Sequence, residues 1–402
     1  MKVIFMGLGY IGLPTAAIAA SKGIEVVGVD INPAVVETIN QGKIHIVEPE
    51  LDKVVKEVVE KKHLRATLKP EEADVFLIVV PTPFKQNHRA DITYVENATR
   101  AVIPFLKEND LFIIESTSPV KTTEKMTAII FKERPELKDN IYAAYCPERV
   151  LPGNVIYELE NNDRIIGGIN PVSSEKAAAF YSQFVKGALH QTDARTAEMC
   201  KLTENSSRDV QIAFANELSI ICEQNGINVW ELIELANKHP RVNILQPGCG
   251  VGGHCIAVDP WFIVSDYPEQ AHIIKQARET NDYKADWCAK KVIDTCHTFE
   301  IQNNRKPVVA CMGLAFKPDI DDLRESPAKY ITSRILSEAR AEVLVVEPNI
   351  TSHKTFSLTN YNAAYQQADI IVWLVRHKEF FTLPQRASKK IELDFCGIKH
   401  RL

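Results

Sequence analysis

The sequence lacks a Cys-x-x-Cys pair, any excess of basic residues and any apolar run of about 20 residues, the length that spans a bilayer. We therefore expect no membrane span, and the apolar start before Gly7 is too short for a signal peptide. Lys plus Arg total 47 against 52 for Asp plus Glu, a balance that argues against general nucleic-acid binding. The nine cysteines favour thiols in a reducing cytoplasm over a disulfide framework.

The chain has 402 residues, enough for two or three domains of roughly 150 residues each. Residues 1–190 alternate short apolar runs with helix-like stretches, which is typical of βαβ units and a parallel sheet. Residues 191–300 have a mostly helical pattern. Residues 301–402 repeat the order of the opening half, which is a strand, a glycine, a helix, a strand and an acidic residue. We expect an α/β fold with two Rossmann-like parallel-sheet domains joined by a central helical dimerisation region.

Local signals set several element boundaries. An amphipathic helix is expected after the first glycines, running to Lys22. A long helix is expected from about Thr196 to Asn225, with Asp193 or Thr196 as its N-cap and Gly226 at its C-terminal end. Ile301–Pro307 is polar and predicts a linker.

A glycine-rich turn opens the chain. Gly7, Gly9 and Gly12 form G-x-G-x-x-G between a predicted strand and a predicted helix, the arrangement that brings a helix N-terminus to a pyrophosphate. Asp30 follows the second predicted strand, where its carboxylate can accept hydrogen bonds from both ribose hydroxyls and repels a 2′-phosphate. The pattern therefore predicts NAD rather than NADP.

A second glycine run, Gly250–Gly253, precedes a cysteine. Cys255 follows a backbone that can press against a ligand, and Asp259 places a carboxylate four residues on. A lone cysteine is more often a small core residue, so the nucleophile is a hypothesis. Cys249, His254 and Cys255 fit no common zinc spacing, and we expect no metal.

Four polar residues share one stripe of the long helix: Glu198, Lys201, Asn205 and Arg208. One interpretation of this stripe is a polar helix face in contact with solvent. Lys201 and Asn205, one turn apart, equally suit an ammonium and an amide that stabilise one developing oxyanion. Periodicity alone leaves both interpretations open.

Several longer motifs then occur in a fixed order, and they are Met6–Pro14, Gly252–Cys255, Gly313–Pro318 and Asp322–Pro327. Together they resemble the UDP-glucose/GDP-mannose dehydrogenase family over nearly the whole chain. Tyr145–Gly153, His239–Pro247 and Gly253–Phe262 are most similar to the branch that acts on UDP-N-acetylmannosamine. Its C2 epimer, UDP-N-acetylglucosamine, stays an alternative.

This resemblance implies a four-electron, NAD-dependent oxidation of the sugar C6 alcohol to a carboxylate, for bacterial surface polysaccharide synthesis. Cys255 would hold the intermediate as a thiohemiacetal and then as a thioester that water hydrolyses. Lys201 and Asn205 would stabilise the oxyanion. Asp259 would act as a base or position water, and Glu148 would handle the hydrolytic water.

The resemblance also implies ligand contacts and an assembly. Implied cofactor contacts are Gly7, Gly9, Tyr10, Ile11, Gly12, Asp30, Thr82, Thr117 and Arg324, with Thr117 also near the catalytic Glu148. Implied substrate contacts are Glu148, Arg149, Val150, Lys201, Asn205, Arg208, Arg241, Gly252, His254, Phe316 and Lys317. A homodimer would form through the central helix, with Arg241 reaching into the partner's active site.

Three positions depart from the family pattern. Pro152 replaces a second glutamate of the UDP-glucose branch, which favours the N-acetylhexosamine branch. Lys121 stands where glycine is common, and Cys249 is an unexpected second thiol. We hypothesise that peroxide inactivates the protein through a Cys249–Cys255 bond.

Two rival functions each explain part of the pattern. A two-electron hydroxyacid dehydrogenase explains Gly7 and Asp30 but gives no role to Cys255 or to a third domain. A non-catalytic NAD-binding sensor would keep its function without Cys255.

Overall fold

The computed structural model describes residues 1–46, 48–85, 88–150, 153–384 and 390–400. The chain divides into two compact units, Met1–Thr203 and Glu204–Leu402. The predicted three-domain division at residues 190 and 300 stays a prediction, and Pro152 lies outside the described residues. None of the described helices is both long enough and apolar enough to cross a membrane.

The first unit is built on an eight-stranded sheet with the order β3-β2-β1-β4-β5-β6-β7-β8. Its strands are β1 Lys2–Met6, β2 Glu25–Val29, β3 Leu64–Thr67, β4 Val75–Ile78, β5 Leu111–Ile114, β6 Tyr142–Tyr145, β7 Arg164–Gly168 and β8 Leu189–Asp193. Its helices are α1 Gly12–Ser21, α2 Pro33–Asn40, α3 Leu51–Glu60, α4 Thr93–Val102, α5 Thr122–Glu133, α6 Val155–Asn161 and α7 Pro171–Tyr181.

One strand pair departs from the predicted parallel sheet. β6 and β7 are antiparallel, with Ala144 opposite Gly168, while the other neighbouring strands are parallel. The chain leaves β6 at the carboxyl edge, and in the described part of the segment before β7 the one helix is α6, which has seven residues. β7 therefore starts at that edge and runs back, which puts its first residue, Arg164, at the carboxyl edge.

The first helix is also not amphipathic as predicted. Gly12–Ala20 is buried throughout, because α3 and α6 both pack on α1 in addition to the sheet. Small alanine side chains permit this close packing on several sides.

α8 spans Ala194–Gln224 and runs from the first unit into the second. Asp193 caps its start by accepting hydrogen bonds from the Thr196 amide (3.0 Å) and hydroxyl (2.7 Å). Gly226, with φ of 67°, follows its end. The predicted long helix and both of its boundary signals are confirmed.

The second unit continues with a four-stranded parallel sheet of order β10-β9-β11-β12. Its strands are β9 Val308–Met312, β10 Glu342–Val346, β11 Ile370–Trp373 and β12 Ile391–Asp394. Its further helices are α9 Val229–Ala236, α10 Asp259–Asp266, α11 His272–Asn303, α12 Pro327–Glu338 and α13 Tyr361–Gln367.

The predicted linker is shorter than Ile301–Pro307, because α11 continues through Asn303. Asn304 then adopts the left-handed conformation, with φ of 51°, and ends the helix. Asparagine tolerates this conformation better than most residues. The predicted α/β class with two parallel sheets and intervening helices is otherwise confirmed.

Glu198 of α8 caps α5. Its buried carboxylate accepts hydrogen bonds from the backbone amides of Lys121 (2.5 Å) and Thr123 (2.8 Å). Glu198 is therefore part of the core, and the interpretation of the stripe as a solvated polar face is wrong for this residue. Lys121 has φ of 74°, a left-handed conformation that side chains other than glycine adopt at a cost.

The substitution Lys121→Gly should therefore raise the free energy of unfolding by about 0.5–1 kcal/mol, since glycine adopts positive φ without a Cβ clash and keeps the amide. Urea unfolding of the full chain measures this. The matched control, Lys125→Gly in the exposed face of α5, should lower the free energy of unfolding by about 1 kcal/mol. Equal destabilisation by both variants would contradict the assignment.

Candidate active site

The carboxyl ends of five strands in the first unit lie in register. Met6 pairs with Val29 and with Ile78, and Ile78 pairs with Ile114. Tyr145 pairs with Ile114 in turn. Residues that follow these strand ends are therefore brought to one edge of the sheet, which is where α/β proteins bind ligands. The residues that follow include Gly7, Asp30, Thr82, Thr117 and Glu148.

The glycine turn has the shape of a dinucleotide cradle. A Cβ at Gly12 would clash with the Gly7 carbonyl, so this glycine permits the close turn between β1 and α1. At Gly9 an added Cβ would meet nothing within 4 Å, which leaves open space for a pyrophosphate above the backbone. The residues present fit NAD.

Asp30 is tied to this turn. Its carboxylate accepts hydrogen bonds from the Leu8 amide (3.1 Å) and the Asn32 amide (2.9 Å). The neighbouring Ile31 is 91% exposed, an unusual position for an aliphatic side chain and one that the sequence analysis did not single out. An apolar surface beside a carboxylate that is expected to bind ribose suits the flat face of adenine.

The remaining implied cofactor contacts of this unit also lie at the edge. The Thr82 hydroxyl donates a hydrogen bond to the Thr117 carbonyl (2.5 Å), so the loops after β4 and β5 meet. Tyr10 is exposed and Ile11 half-buried beside the glycine turn.

Glu148 is held at both carboxylate oxygens. Oε1 accepts from the Arg149 amide (2.6 Å), and Oε2 accepts from Arg164 Nη2 (2.8 Å). Lys201 donates from Nζ to the Glu148 backbone carbonyl (2.7 Å). The structure thus brings Lys201 and Glu148 together, as predicted for one site, and adds Arg164, which the sequence analysis missed. The half-buried Val150 follows these residues.

A second cluster lies in the second unit. Asn205 donates from Nδ2 to Oδ2 of the buried Asp259 (2.6 Å). Asp259 begins α10, and its amide donates to the Cys255 carbonyl (2.8 Å). Cys255 itself is exposed, unlike most of the other thiols. Three residues predicted to act together are therefore neighbours in the structure.

The loop that carries Cys255 is pressed against the loop after β9. A Cβ added to Gly252 would lie 2.6 Å from the Glu325 carbonyl and 2.7 Å from Phe316 Cβ. Gly253 faces the Phe316 ring, and its amide donates to the Arg324 carbonyl (3.1 Å). Glycine is required here because backbone and side chain approach so closely.

Six other implied contacts lie on exposed loops or helix faces, and they are Arg149, Arg208, Arg241, His254, Lys317 and Arg324. Partial burial and then the charge of Arg324 lower the pKa of His254, so these two implied contacts are near each other. Arg324 binds Asp322 through both Nε (3.0 Å) and Nη2 (2.7 Å). Arg149, Arg208, Arg241 and Lys317 are exposed. Their ligand contacts stay predictions.

Cys249 does not share the environment of Cys255. It is buried, and its thiol donates to the Leu374 carbonyl (3.3 Å). The neighbouring Cys288, followed by burial, raises the pKa of the Cys249 thiol. A buried thiol of high pKa reacts slowly. The structure therefore favours Cys288 over Cys255 as the thiol next to Cys249, and the peroxide hypothesis stays untested.

Among the described residues, Asp319, His377 and Glu379 form a group of the size that could hold a metal ion. Nδ1 of His377 accepts from the Asp319 amide (3.0 Å), and Nε2 lies 3.1 Å from Glu347 Oε2. Both ring nitrogens are therefore already engaged, which argues against metal binding at this group.

Sequence models of the UDP-glucose/GDP-mannose dehydrogenase family match three segments of the chain. The NAD binding domain matches residues 1–185, the central domain residues 195–283 and the UDP binding domain residues 310–399. The chain belongs to the UDP-glucose/GDP-mannose dehydrogenase family. It is an NAD-dependent oxidoreductase, and the predicted cofactor is confirmed.

Individual relatives are similar to this dehydrogenase over nearly their full length. UDP-N-acetyl-D-mannosamine dehydrogenase of Campylobacter jejuni is 55% identical over 411 residues, 98% of this chain and 99% of the relative. NDP-N-acetyl-D-galactosaminuronic acid dehydrogenase of Ralstonia nicotianae is 53% identical, covering 98% and 95%. The structure of UDP-D-ManNAc dehydrogenase from Pyrococcus horikoshii has a TM-score of 0.89 at 36% identity, covering 99% and 100%.

Substituting Gly252→Ala in this dehydrogenase should lower the free energy of unfolding by about 1–3 kcal/mol, because the new methyl group overlaps the Glu325 carbonyl. The same change should alter the rate at which a thiol reagent modifies Cys255. Gly248→Ala is the matched control in this loop, since nothing lies within 4 Å of an added Cβ there. If both variants behave alike, the close approach does not hold the loop.

Proposed function

We propose that this dehydrogenase oxidises UDP-N-acetyl-D-mannosamine at C6 to UDP-N-acetyl-D-mannosaminuronate, for bacterial surface polysaccharide synthesis. The observation that carries the chemistry is the exposed Cys255, beside Asp259 and Asn205 on a loop that glycines hold. The identity of the sugar is supported by the 55% identity to relatives named for UDP-N-acetyl-D-mannosamine. Nine thiols suit a reducing, cytoplasmic setting.

Gly7–Gly12 and Asp30 would hold NAD, which would supply the hydride acceptor for two oxidations at the sugar C6. Cys255 supplies the covalent chemistry between them. Its sulfur adds to the C6 aldehyde to give a thiohemiacetal, and oxidation of that adduct leaves a thioester. Water then attacks the thioester carbonyl, the C–S bond breaks, and the carboxylate and the thiol are released.

Lys201 and Asn205 are assigned to the oxyanion that each stage places on C6. They lie one turn apart on α8, so an ammonium and an amide project from the same face. Asp259 accepts one hydrogen of the Asn205 amide nitrogen, and the second hydrogen of that nitrogen is the one assigned to the oxyanion. Asp259 thereby orients the amide before the charge develops.

Glu148 is assigned to the water that hydrolyses the thioester, with Thr117 nearby. Its carboxylate is fixed at both oxygens and its side chain keeps 9% exposure, so it combines a defined orientation with access. The contact of Lys201 with the Glu148 carbonyl supports placing both residues in one site.

The remaining contacts divide between the two ligands. Tyr10, Ile11, Thr82 and Arg324 are assigned to NAD, and the substrate is assigned Arg149, Val150, Arg208, Gly252, His254, Phe316 and Lys317. The match to a UDP binding domain over residues 310–399 supports a UDP-sugar.

We also propose a homodimer through α8. Ala215 and Cys222 are buried within the second unit, whereas Phe214 and Ile221 are 52% and 48% exposed on the same helix. Exposed large apolar side chains along a helix suit a partner surface. Arg241, which is exposed, would then reach the active site of the partner.

The sugar assignment is tested by initial rates of NADH formation with pure protein, NAD and a series of UDP-sugars. UDP-N-acetyl-D-mannosamine should react at least about tenfold faster than its C2 epimer UDP-N-acetyl-D-glucosamine, since a mispaired hydroxyl or amide costs about 1.4 kcal/mol or more. UDP-N-acetyl-D-galactosamine belongs in the series because of the relative from Ralstonia nicotianae. A faster rate with either of the other sugars would overturn the assignment.

The dimer is tested by light scattering. The wild type should have twice the chain mass of 45.2 kDa, and the double variant Phe214→Ser/Ile221→Ser should have the single-chain mass. Ile301→Ser, which changes an exposed isoleucine on α11, is the matched control and should stay dimeric. A monomeric wild type would contradict the proposal.

A further inference from the structure

Glu148 contacts a buried cation, Arg164, which also lies near a second buried carboxylate, Glu115. Arg164 donates from Nη2 to Glu148 Oε2 (2.8 Å), and its Nη1 lies 3.5 Å from Glu115 Oε1. Arg164 is the first residue of β7, and the antiparallel course of β7 puts it at the carboxyl edge of the sheet. A parallel β7 would have put it at the opposite edge.

Tyr181 fixes the far side of this group. Its hydroxyl donates to Glu115 Oε1 (2.5 Å), and its ring lies 4.8 Å from the centre of the Arg164 guanidinium. Tyr181 and Glu115 are both buried. The guanidinium is therefore held by a ring and a carboxylate behind it, and it presents one edge to Glu148.

The charges of the group favour a proton on Glu115. Two carboxylates share one guanidinium, and Glu115 is the more deeply buried of the two, so Glu115 gains by holding a proton. Burial, and after it the charge of the nearby Glu148, raises the pKa of Glu115 to about 7 against the opposing effects of Arg164 and of the Tyr181 hydrogen bond. Glu115 Oε2 also has no hydrogen-bond partner in the described structure. Up to about neutral pH, the charge of Arg164 is thus left to Glu148.

We propose that Arg164 is a positioning residue for thioester hydrolysis, and that Glu115 and Tyr181 hold it in place. The inference rests on the proposed function, because it takes Glu148 as the group that activates water. Arg164 touches no reacting atom in this assignment. It acts by fixing the direction of the Glu148 carboxylate and by placing a positive charge beside it.

This role affects one step of the reaction more than the others. In hydrolysis, the water oxygen bonds to the thioester carbon, its proton passes to Glu148, and the sulfur of Cys255 leaves as a thiolate. The two oxidations that come before need no water. Loss of Arg164 should therefore slow hydrolysis while both oxidations continue, and the acylated enzyme should accumulate.

The first test is Arg164→Met, measured by rapid mixing with UDP-N-acetyl-D-mannosamine and by intact mass. We expect a burst of two NADH per site, followed by a steady rate about 100-fold below wild type, within the range that a general base contributes. A sugar adduct on Cys255 should appear in the mass spectrum. Arg164→Lys, which keeps the charge, should restore part of the steady rate and reduce the adduct.

A milder variant covers the case in which Arg164→Met does not fold. Tyr181→Phe removes only the hydroxyl that anchors Glu115, and we expect hydrolysis to slow by about threefold to tenfold, as for a lost hydrogen bond worth about 1 kcal/mol. Tyr365→Phe is the matched control, because its hydroxyl donates to the Pro384 carbonyl in the second unit (2.8 Å). Its hydrolysis rate should equal that of wild type.

The outcomes separate this inference from the proposed function. One NADH per sugar in the wild type would overturn the proposed function and, with it, the role of Arg164. Two NADH per sugar in the wild type, with all steps slowed equally in Arg164→Met or with no adduct, would overturn only the role of Arg164. An unchanged hydrolysis rate in Tyr181→Phe would overturn the anchoring role of Tyr181 and Glu115.

Discussion

The chemistry that we propose for this dehydrogenase depends on the close backbone contact that holds the loop of Cys255. Gly250–Gly253 belong to no helix or strand, so the hydrogen bonds of regular secondary structure do not fix the backbone just before Cys255. Its position comes from glycine backbone lying against Phe316 and against the carbonyl of Glu325. A reactive intermediate that must stay on one atom through two oxidations requires such a fixed position.

The polar groups assigned to catalysis are each oriented by another group in their own unit. Asp259 orients the amide of Asn205 in the second unit. In the first unit, Arg164 and the Arg149 amide fix Glu148, and the Glu148 carbonyl accepts from Lys201. Groups held in this way need little reorganisation as charge develops, which is how enzymes stabilise transition states. Two of the supporting residues, Asp259 and Arg164, are buried, where a hydrogen bond or ion pair is least exchanged with water.

Local signals predicted much of the fold and part of the site. The glycine turn, Asp30 at the end of β2 and the caps of α8 are each decided by a few neighbouring residues, so the sequence pattern is sufficient to find them. The parallel sheet fixes which loops share an edge, and this is why Thr82 and Thr117 were expected together. Family resemblance supplied the roles of Cys255 and its neighbours.

Contacts between distant segments escaped the sequence analysis. Arg164 reaches Glu148 only because β7 is antiparallel, and no local pattern predicts strand direction after a short helix. Glu198 shared a polar stripe with Lys201 yet caps α5, since burial depends on which element packs against α8. Cys249 is adjacent in sequence to the loop of Cys255 but points into a core that α11 completes.

The central claim is that a single thiol retains the sugar between two oxidations. Its most direct test is the ratio of NADH formed to UDP-sugar consumed, measured with an aldehyde-trapping amine in solution. The account requires two NADH per sugar with no trapped aldehyde in the wild type, and no more than one NADH per sugar and no carboxylate product when Cys255 is replaced by alanine. One NADH per sugar, or aldehyde captured by the amine in proportion to turnover, would contradict it.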